Sequence, residues 1–238
     1  MKLYDFIVSL YYEIRFQLLT RYWNFRSRNS RINGKVYVFH HVTDDFVDTY
    51  ASCKCTIERF RQFLDESEAE GRKIVSIDEA MELIERGSSK PFTVITFDDI
   101  NEDAFLNAFP ILIERNIPFT SFLTPGLIGQ KDFINQKQFE ELKEISLCTI
   151  GAHTMTHPQL RKSLNSYDEI RDSKNHLEEC LNTTIKYMAY PYGQQSTVSS
   201  RNIQEAKTSG YKCAFSTIPA PISEYTCNQM YFLPRLTL

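Results

Sequence analysis

Glycine and proline are scarce, with eight and nine residues in a chain of 238. That scarcity excludes fibrous and disordered architectures, and no internal repeat or low-complexity tract is present. No apolar run reaches the roughly 18 residues needed to span a bilayer. The N-terminal apolar stretch is interrupted by Asp5 and Glu13 and no small-residue cleavage site follows it, so a secretory signal is not expected. A strong charge of one sign is also missing. The net charge is −3, which excludes a nucleic-acid binder of the usual basic kind. Cysteines stand at 53, 55, 148, 180, 213 and 227. Cys53-Lys54-Cys55 lacks the two-residue gap of structural zinc sites, so free thiols in a reducing cytoplasm are expected.

Hydrophobic residues make up 42% and charged residues 24%, ordinary for a soluble globular chain with an ample core. Short β-prone runs are expected at 35–41, 74–75, 92–97, 119–123, 148–150, 187–190, 212–215 and 232–236. Helices separate most of them. Thr56 is expected to open one, and Ser76/Glu79 and Ser166/Glu169 read as capping boxes for two more. This alternation predicts parallel βαβ units in an α/β fold. A closed, barrel-like arrangement would bring the strand tips His40, Asp98, His153 and Tyr192 to one mouth.

Residues 2–28 read as one aromatic-rich helix. Over residues 1–31, Lys2, Arg15, Arg21, Arg26, Arg28 and Arg31 oppose Asp5 and Glu13, a local charge of +4. Such a helix can lie in a membrane interface; packing on the domain or in a dimer would use the same pattern. The expected organisation is an N-terminal helix at 1–33 and one domain at 34–238.

The chemistry centres on Val94-Ile95-Thr96-Phe97-Asp98-Asp99, an apolar run ending in two carboxylates. Catalytic groups of α/β proteins gather at the carboxyl ends of strands. Paired acids there suit a general base beside a metal ligand; helix capping by Asp99 or Asn101 is the bland alternative. His153 and His157 are four apart and could grip one ion from one side. With Asp99 they would form a two-His, one-carboxylate set with open positions, the pattern of a catalytic metal.

Thr96-Phe97-Asp98-Asp99, His153-Thr154-Met155-Thr156-His157-Pro158 and Tyr190-Pro191-Tyr192-Gly193, in that order, resemble three motifs of the NodB-type polysaccharide deacetylases, carbohydrate esterase family 4. The resemblance implies a distorted (β/α) barrel and metal-dependent removal of N-acetyl groups from GlcNAc-type sugars. It implies Asp98 as general base and Asp99, His153 and His157 as ligands of a divalent ion, with Zn²⁺ first and Co²⁺, Ni²⁺ or Mn²⁺ as alternatives. The Tyr192 N–H would bind the oxyanion. Two features depart from the common pattern. The third motif lacks the Arg that pairs with the base, and Arg235, the only arginine after Arg201, is the expected replacement. No late Leu-x-His motif supplies a general acid. Phe39-His40-His41-Val42 instead resembles the N-terminal aromatic-His-x-Val segment of permuted members such as the poly-N-acetylglucosamine deacetylases. Strand alternation puts Val36, Val38 and His40 on one face, so His40 rather than His41 is the expected acid. The implied substrate is an N-acetylated glycan or a lipid-linked sugar; deformylation of a lipid-linked amino sugar and non-catalytic sugar binding are the alternatives. The expected location is cytoplasmic, with residues 1–31 possible as a peripheral contact at the inner membrane face.

Overall fold

β5 (Phe92–Asp98) is buried at every position, as a strand covered on both faces must be. The computed structural model describes residues 3–45 and 54–238, with side chains from residue 7 onward. Lys2, Cys53 and the side chains of Asp5 and Phe6 lie outside the described residues.

β5 runs parallel to β1 (Gly34–Phe39) from Gly34 opposite Phe92 to Phe39 opposite Phe97. With β2 (His41–Val42) and β3 (Lys54–Cys55) forming a separate pair, the main sheet adds β4 (Lys73–Ile74), β6 (Phe119–Leu123), β7 (Cys148–Ala152), β8 (Tyr187–Ala189) and β9 (Cys213–Phe215). All its pairings are parallel, in the order β1-β5-β6-β7-β8-β9, and β4 lies beside the start of β5. The C-terminal segment joins the two edges. Leu233 bridges to Phe215 and Leu236 to Tyr37, both in parallel. Leu236 N–H donates to Val36 O at 2.7 Å and Val38 N–H to Leu236 O at 2.9 Å. The sheet therefore curls into the distorted barrel expected from the motifs, with the C-terminal segment as its last stave.

Two apolar layers hold it. Outside, Phe39, Phe97 and Phe119 pack with Phe60 and Phe63 of α2 (Ile57–Ala69) and Phe109 of α4 (Glu102–Glu114). Inside, Val36, Phe92, Val94, Phe122 and Phe215 pack with Ile77, Ala80 and Met81 of α3 (Ile77–Glu85). Thr56 caps α2 through Arg59 N–H, as predicted; Ser76 caps α3 through Glu79 N–H, but the other half of the expected box does not form, because the Glu79 carboxylate accepts from Lys73 at 2.8 Å. α5 (Gln136–Lys143), α6 (Ser166–Leu181), α7 (Ser200–Thr208) and α8 (Glu224–Cys227) complete the wall. The five described cysteines are unbridged.

α1 (Leu3–Ser27) packs along the barrel. Trp23 is fully buried beside Phe232, with ring centroids 6.5 Å apart, and Asn24 donates to Pro219 O at 2.9 Å. No helix among the described residues is long and apolar enough to cross a membrane.

Three further local expectations need correction. The strand expected over 35–41 breaks at His40, where the chain bends before β2. Asn101 occupies the N-cap position of α4 but makes no side-chain cap bond; its amide donates to His40 O at 3.2 Å. The Ser166/Glu169 box does not form. Ser166 is already inside α6 and donates to Glu205, while Glu169 serves the loop that carries the histidines.

Candidate active site

Asp98 ends β5 on the inner face of the barrel, and Asp99 begins the turn beyond it. Arg235, fully buried, meets Asp98 with a two-pronged fork: Nη1 donates to Oδ1 at 2.7 Å and Nη2 to Oδ2 at 2.6 Å. Its remaining donors reach Thr96 Oγ1 at 3.2 Å and Ser216 O at 2.9 Å. This geometry is the charge-assisted bidentate pair that holds a carboxylate ionised. Burial alone would raise the Asp98 pKa; Arg235, helped by His153, holds it well below the usual carboxylate range. The arginine missing from the third motif thus comes from the end of the chain, as expected.

Asp99 has the opposite environment. Its Oδ1 is buried without a hydrogen-bond partner, and His153 Nε2 and His157 Nε2 approach it at 3.5 and 3.2 Å. His153 Nδ1 lies 2.8 Å from Ala189 O. A carbonyl only accepts, so Nδ1 carries the proton and the Nε2 lone pair turns toward Asp99. Burial pushes His153 down to about 3 and also lowers His157. At neutral pH, lone pairs therefore converge where no donor stands. Burial, reinforced by the Asp98 charge, pushes Asp99 up to about 6. One ligand atom from each of Asp99, His153 and His157 lies within 4.8 Å of the others. An orphaned carboxylate oxygen facing two imidazole nitrogens fits a divalent cation, and the mixed N/O donor set suits zinc-like ions.

The histidine loop is locally strained. Thr154 and His157 have positive φ, at 65° and 61°, and so do Asp99, Ile100 and Tyr192 around the same mouth, at 64°, 59° and 61°. Such conformations cost roughly 1–3 kcal/mol each and persist only where surrounding contacts impose them. Glu169 supplies some of those contacts, accepting from Thr156 N–H at 2.8 Å and Thr156 Oγ1 at 2.6 Å. Thr154 Oγ1 accepts from His157 N–H at 3.1 Å, and Thr124 Oγ1 donates to His153 O at 2.9 Å.

Tyr192 sits at the rim, 50% exposed, its ring 4.9 Å from that of His157. Thr217 fixes the turn: its Oγ1 donates to Tyr192 O at 2.7 Å, and its N–H to Gly193 O at 3.1 Å. A Cβ on Gly193 would come within 2.6 Å of Thr217 N, and φ there is +64°, so only glycine suits this close approach.

His40 and His41 part company at the bend. Burial holds the His40 pKa below its ordinary value, and the Asp98 and Asp99 charges offset only part of that shift. His41 Nδ1 pairs with Asp103 Oδ2 at 2.9 Å. The alternation argument holds through Phe39, with Val36 in the inner layer and Tyr37 and Phe39 against the outer Phe63; beyond it the bend, anchored by Asn101, takes over. Asp103 and Thr217 carry no motif signal, and Asn101 and Glu169 signal only a helix cap. Each acts through contacts between distant positions that spacing along the chain cannot reveal.

The chain resembles known proteins at several levels. It is 26% identical over 215 residues to the poly-β-1,6-N-acetyl-D-glucosamine N-deacetylase of Staphylococcus epidermidis, covering 81% of this chain and 73% of that protein. It is 24% identical over 246 residues to the protein of the same name from Staphylococcus aureus strain MRSA252, covering 97% and 81%. Among solved structures, the Streptococcus pyogenes deacetylase PplD in complex with acetate superposes with a TM-score of 0.77 at 24% identity, covering 87% of this chain and 92% of that one. IcaB from Ammonifex degensii gives 0.73 at 23% identity, covering 87% and 91%. At these identities the structures speak for the fold. Residues 85–214, more than half of the chain, match the polysaccharide deacetylase family profile, and the chain belongs to that family.

Proposed function

We propose that this chain is a metal-dependent N-deacetylase acting on GlcNAc units of a β-1,6-linked polysaccharide. The observation that carries this reading is the division of labour between adjacent carboxylates. Asp98 is locked to Arg235, and Asp99 is left open to His153 and His157. The names of the staphylococcal relatives support the choice of sugar and linkage.

A divalent ion held by Asp99, His153 and His157 would polarise an amide carbonyl and lower the pKa of water. Asp98, kept ionised by Arg235, takes a proton from the attacking water. Such base catalysis is worth roughly 10²–10⁴ in rate. The Tyr192 N–H, which has no acceptor among the described residues, donates to the oxygen as negative charge develops there. His40, whose pKa burial lowers against the opposing pull of two carboxylates, would act in its protonated form as the donor to the departing amine. Arg235 also weighs against a non-catalytic sugar-binding protein, because it supplies to Asp98 the arginine that the third motif lacks.

The test is acetate and formate release from β-1,6-linked GlcNAc oligomers and from N-formyl amino sugars, with Asp98→Asn as control. Acetate release by the wild type, abolished in Asp98→Asn, supports the reading. Formate release alone would replace it with a deformylase, and release of neither acid would leave sugar binding.

A further inference from the structure

The long N-terminal helix carries two apolar faces, and the barrel uses only one. Tyr12, Phe16, Leu19 and Trp23 form the packed side. Phe16 and Leu19 lie against the core, Trp23 is within it, and Tyr12 lies under the Arg161 guanidinium at 5.1 Å. On the opposite side Ile7, Leu10, Tyr11, Ile14, Leu18 and Phe25 are each 48–65% exposed. At 3.6 residues per turn these six fall within an arc of roughly 100° and form a continuous stripe. Arg21 and Arg28 lie in the same arc and Arg15 borders it, all three exposed. Glu13 falls outside it. None of the three arginines pairs with a carboxylate among the described residues. Arg15 and Arg28 instead lie over the Tyr11 and Phe25 rings, at 5.5 and 6.0 Å.

We propose that α1 is an interfacial helix whose outward stripe binds the surface of an anionic lipid bilayer and holds the catalytic mouth beside it. An apolar stripe with uncompensated arginines along its flank matches anionic headgroups above an acyl boundary. A second copy of this chain is the poorer occupant. An α1–α1 contact would bring the same arginines of both copies together, with no acid on the stripe to offset them.

The position of the helix gives the docking a consequence. Its N-terminal half reaches the rim of the site. Ser9, Tyr12 and Phe16 face Gln194, Gln195 and Ser196 across a cavity of about 90 Å³, and Gln194 follows the Tyr192-Gly193 turn directly. Arg161 ties the two together, stacking on Tyr12 while donating to Gln195 O and Val198 O at 2.7 Å each. A bilayer on the outer stripe therefore lies about one helix diameter, roughly 10–12 Å, from the rim loop. The inference does not depend on the reaction catalysed.

Vesicle flotation of the full chain tests it, with phosphatidylglycerol-containing and pure phosphatidylcholine vesicles at low and high salt. The wild type should float with the anionic vesicles and lose most of that binding at high salt. Ile14→Glu/Leu18→Glu, at exposed positions, should reduce bound protein at least tenfold with an unchanged circular dichroism spectrum and melting temperature. Should that variant fold poorly, Arg21→Ser/Arg28→Ser gives an independent answer through a clear loss of binding at low salt. The proposal is overturned if the wild type stays with the unbound fraction, if it floats equally with both vesicle types, or if both folded variants bind as the wild type does. A wild-type dimer that Ile14→Glu/Leu18→Glu converts to monomer would also overturn it, in favour of a second copy as occupant.

Discussion

The outer wall and the inner mouth of the barrel share the same strands and obey opposite rules. On the outside, Phe97 touches Phe39, Phe109 and Phe119 at centroid distances of 5.6, 5.0 and 6.0 Å, and the contacts are apolar and mutually replaceable. One strand position away, Thr96 and Asp98 face inward to a fully buried arginine. There each polar atom has specific partners, Arg235 Nη1 serving both Thr96 and Asp98, and each partner comes from a distant part of the chain. Aromatic packing holds the sheet in shape. The inner face uses that rigidity to keep one carboxylate ionised and to leave its neighbour without a partner. Buried polar groups of this kind carry a large penalty when a partner is removed, so the two faces should respond differently to substitution.

Asp98→Asn should produce the largest change, lowering the turnover of the folded protein by about 10³-fold or more, since the lost base contributes on that scale, with a loss of stability because Arg235 is left without its counter-charge. Initial rates on a GlcNAc oligomer, with a melting curve alongside, check this. Arg235→Met should damage both faces of the comparison. Breaking a buried pair from one side costs roughly 3–5 kcal/mol, which denaturant unfolding would report. Arg235 depresses the Asp98 pKa, so its loss raises that pKa and moves the acidic limb of the pH–rate profile to higher pH. A limb that stays in place would show that Arg235 is only structural.

His40→Ala should cut turnover by about 10²-fold with metal content intact. His41→Ala, which removes the partner of Asp103, should be milder. Comparable losses in the two variants would blur the division made at the bend. Phe97→Ala should do the reverse of the inner substitutions, costing roughly 3–5 kcal/mol of stability while the surviving folded protein turns over near the wild-type rate. The smallest effect concerns pH. Because burial pushes metal-free Asp99 up to about 6, proton and cation compete for it below that value. Metal affinity measured by competition titration should fall roughly five- to sixfold from pH 6 to pH 5 through this group alone.

Much of this organisation is legible in the sequence, for identifiable reasons. The strand ending in Asp98-Asp99, the four-residue spacing of His153 and His157, and the caps at Thr56 and Ser76 are local patterns, and local patterns survive folding. Arg235 could be anticipated by elimination, as the only arginine after Arg201. What stayed hidden is long-range. Asn101 looks like a helix cap, yet its side chain holds the bend at His40. Glu169 looks like half of a capping box, yet it braces the histidine loop. Thr217 has no signature and pins Tyr192 from across the sheet. In each case tertiary contact overrides a correct local propensity, and it does so around the mouth, where the backbone adopts unfavourable φ values.

Metal stoichiometry of Asp98→Asn and Asp99→Asn, measured side by side by elemental analysis after loading with Zn²⁺, tests the division between the two carboxylates most directly. The predicted result is one ion per chain in Asp98→Asn and a sharp loss in Asp99→Asn, with both variants inactive. Full stoichiometry in Asp99→Asn, or its loss in Asp98→Asn instead, would contradict the account.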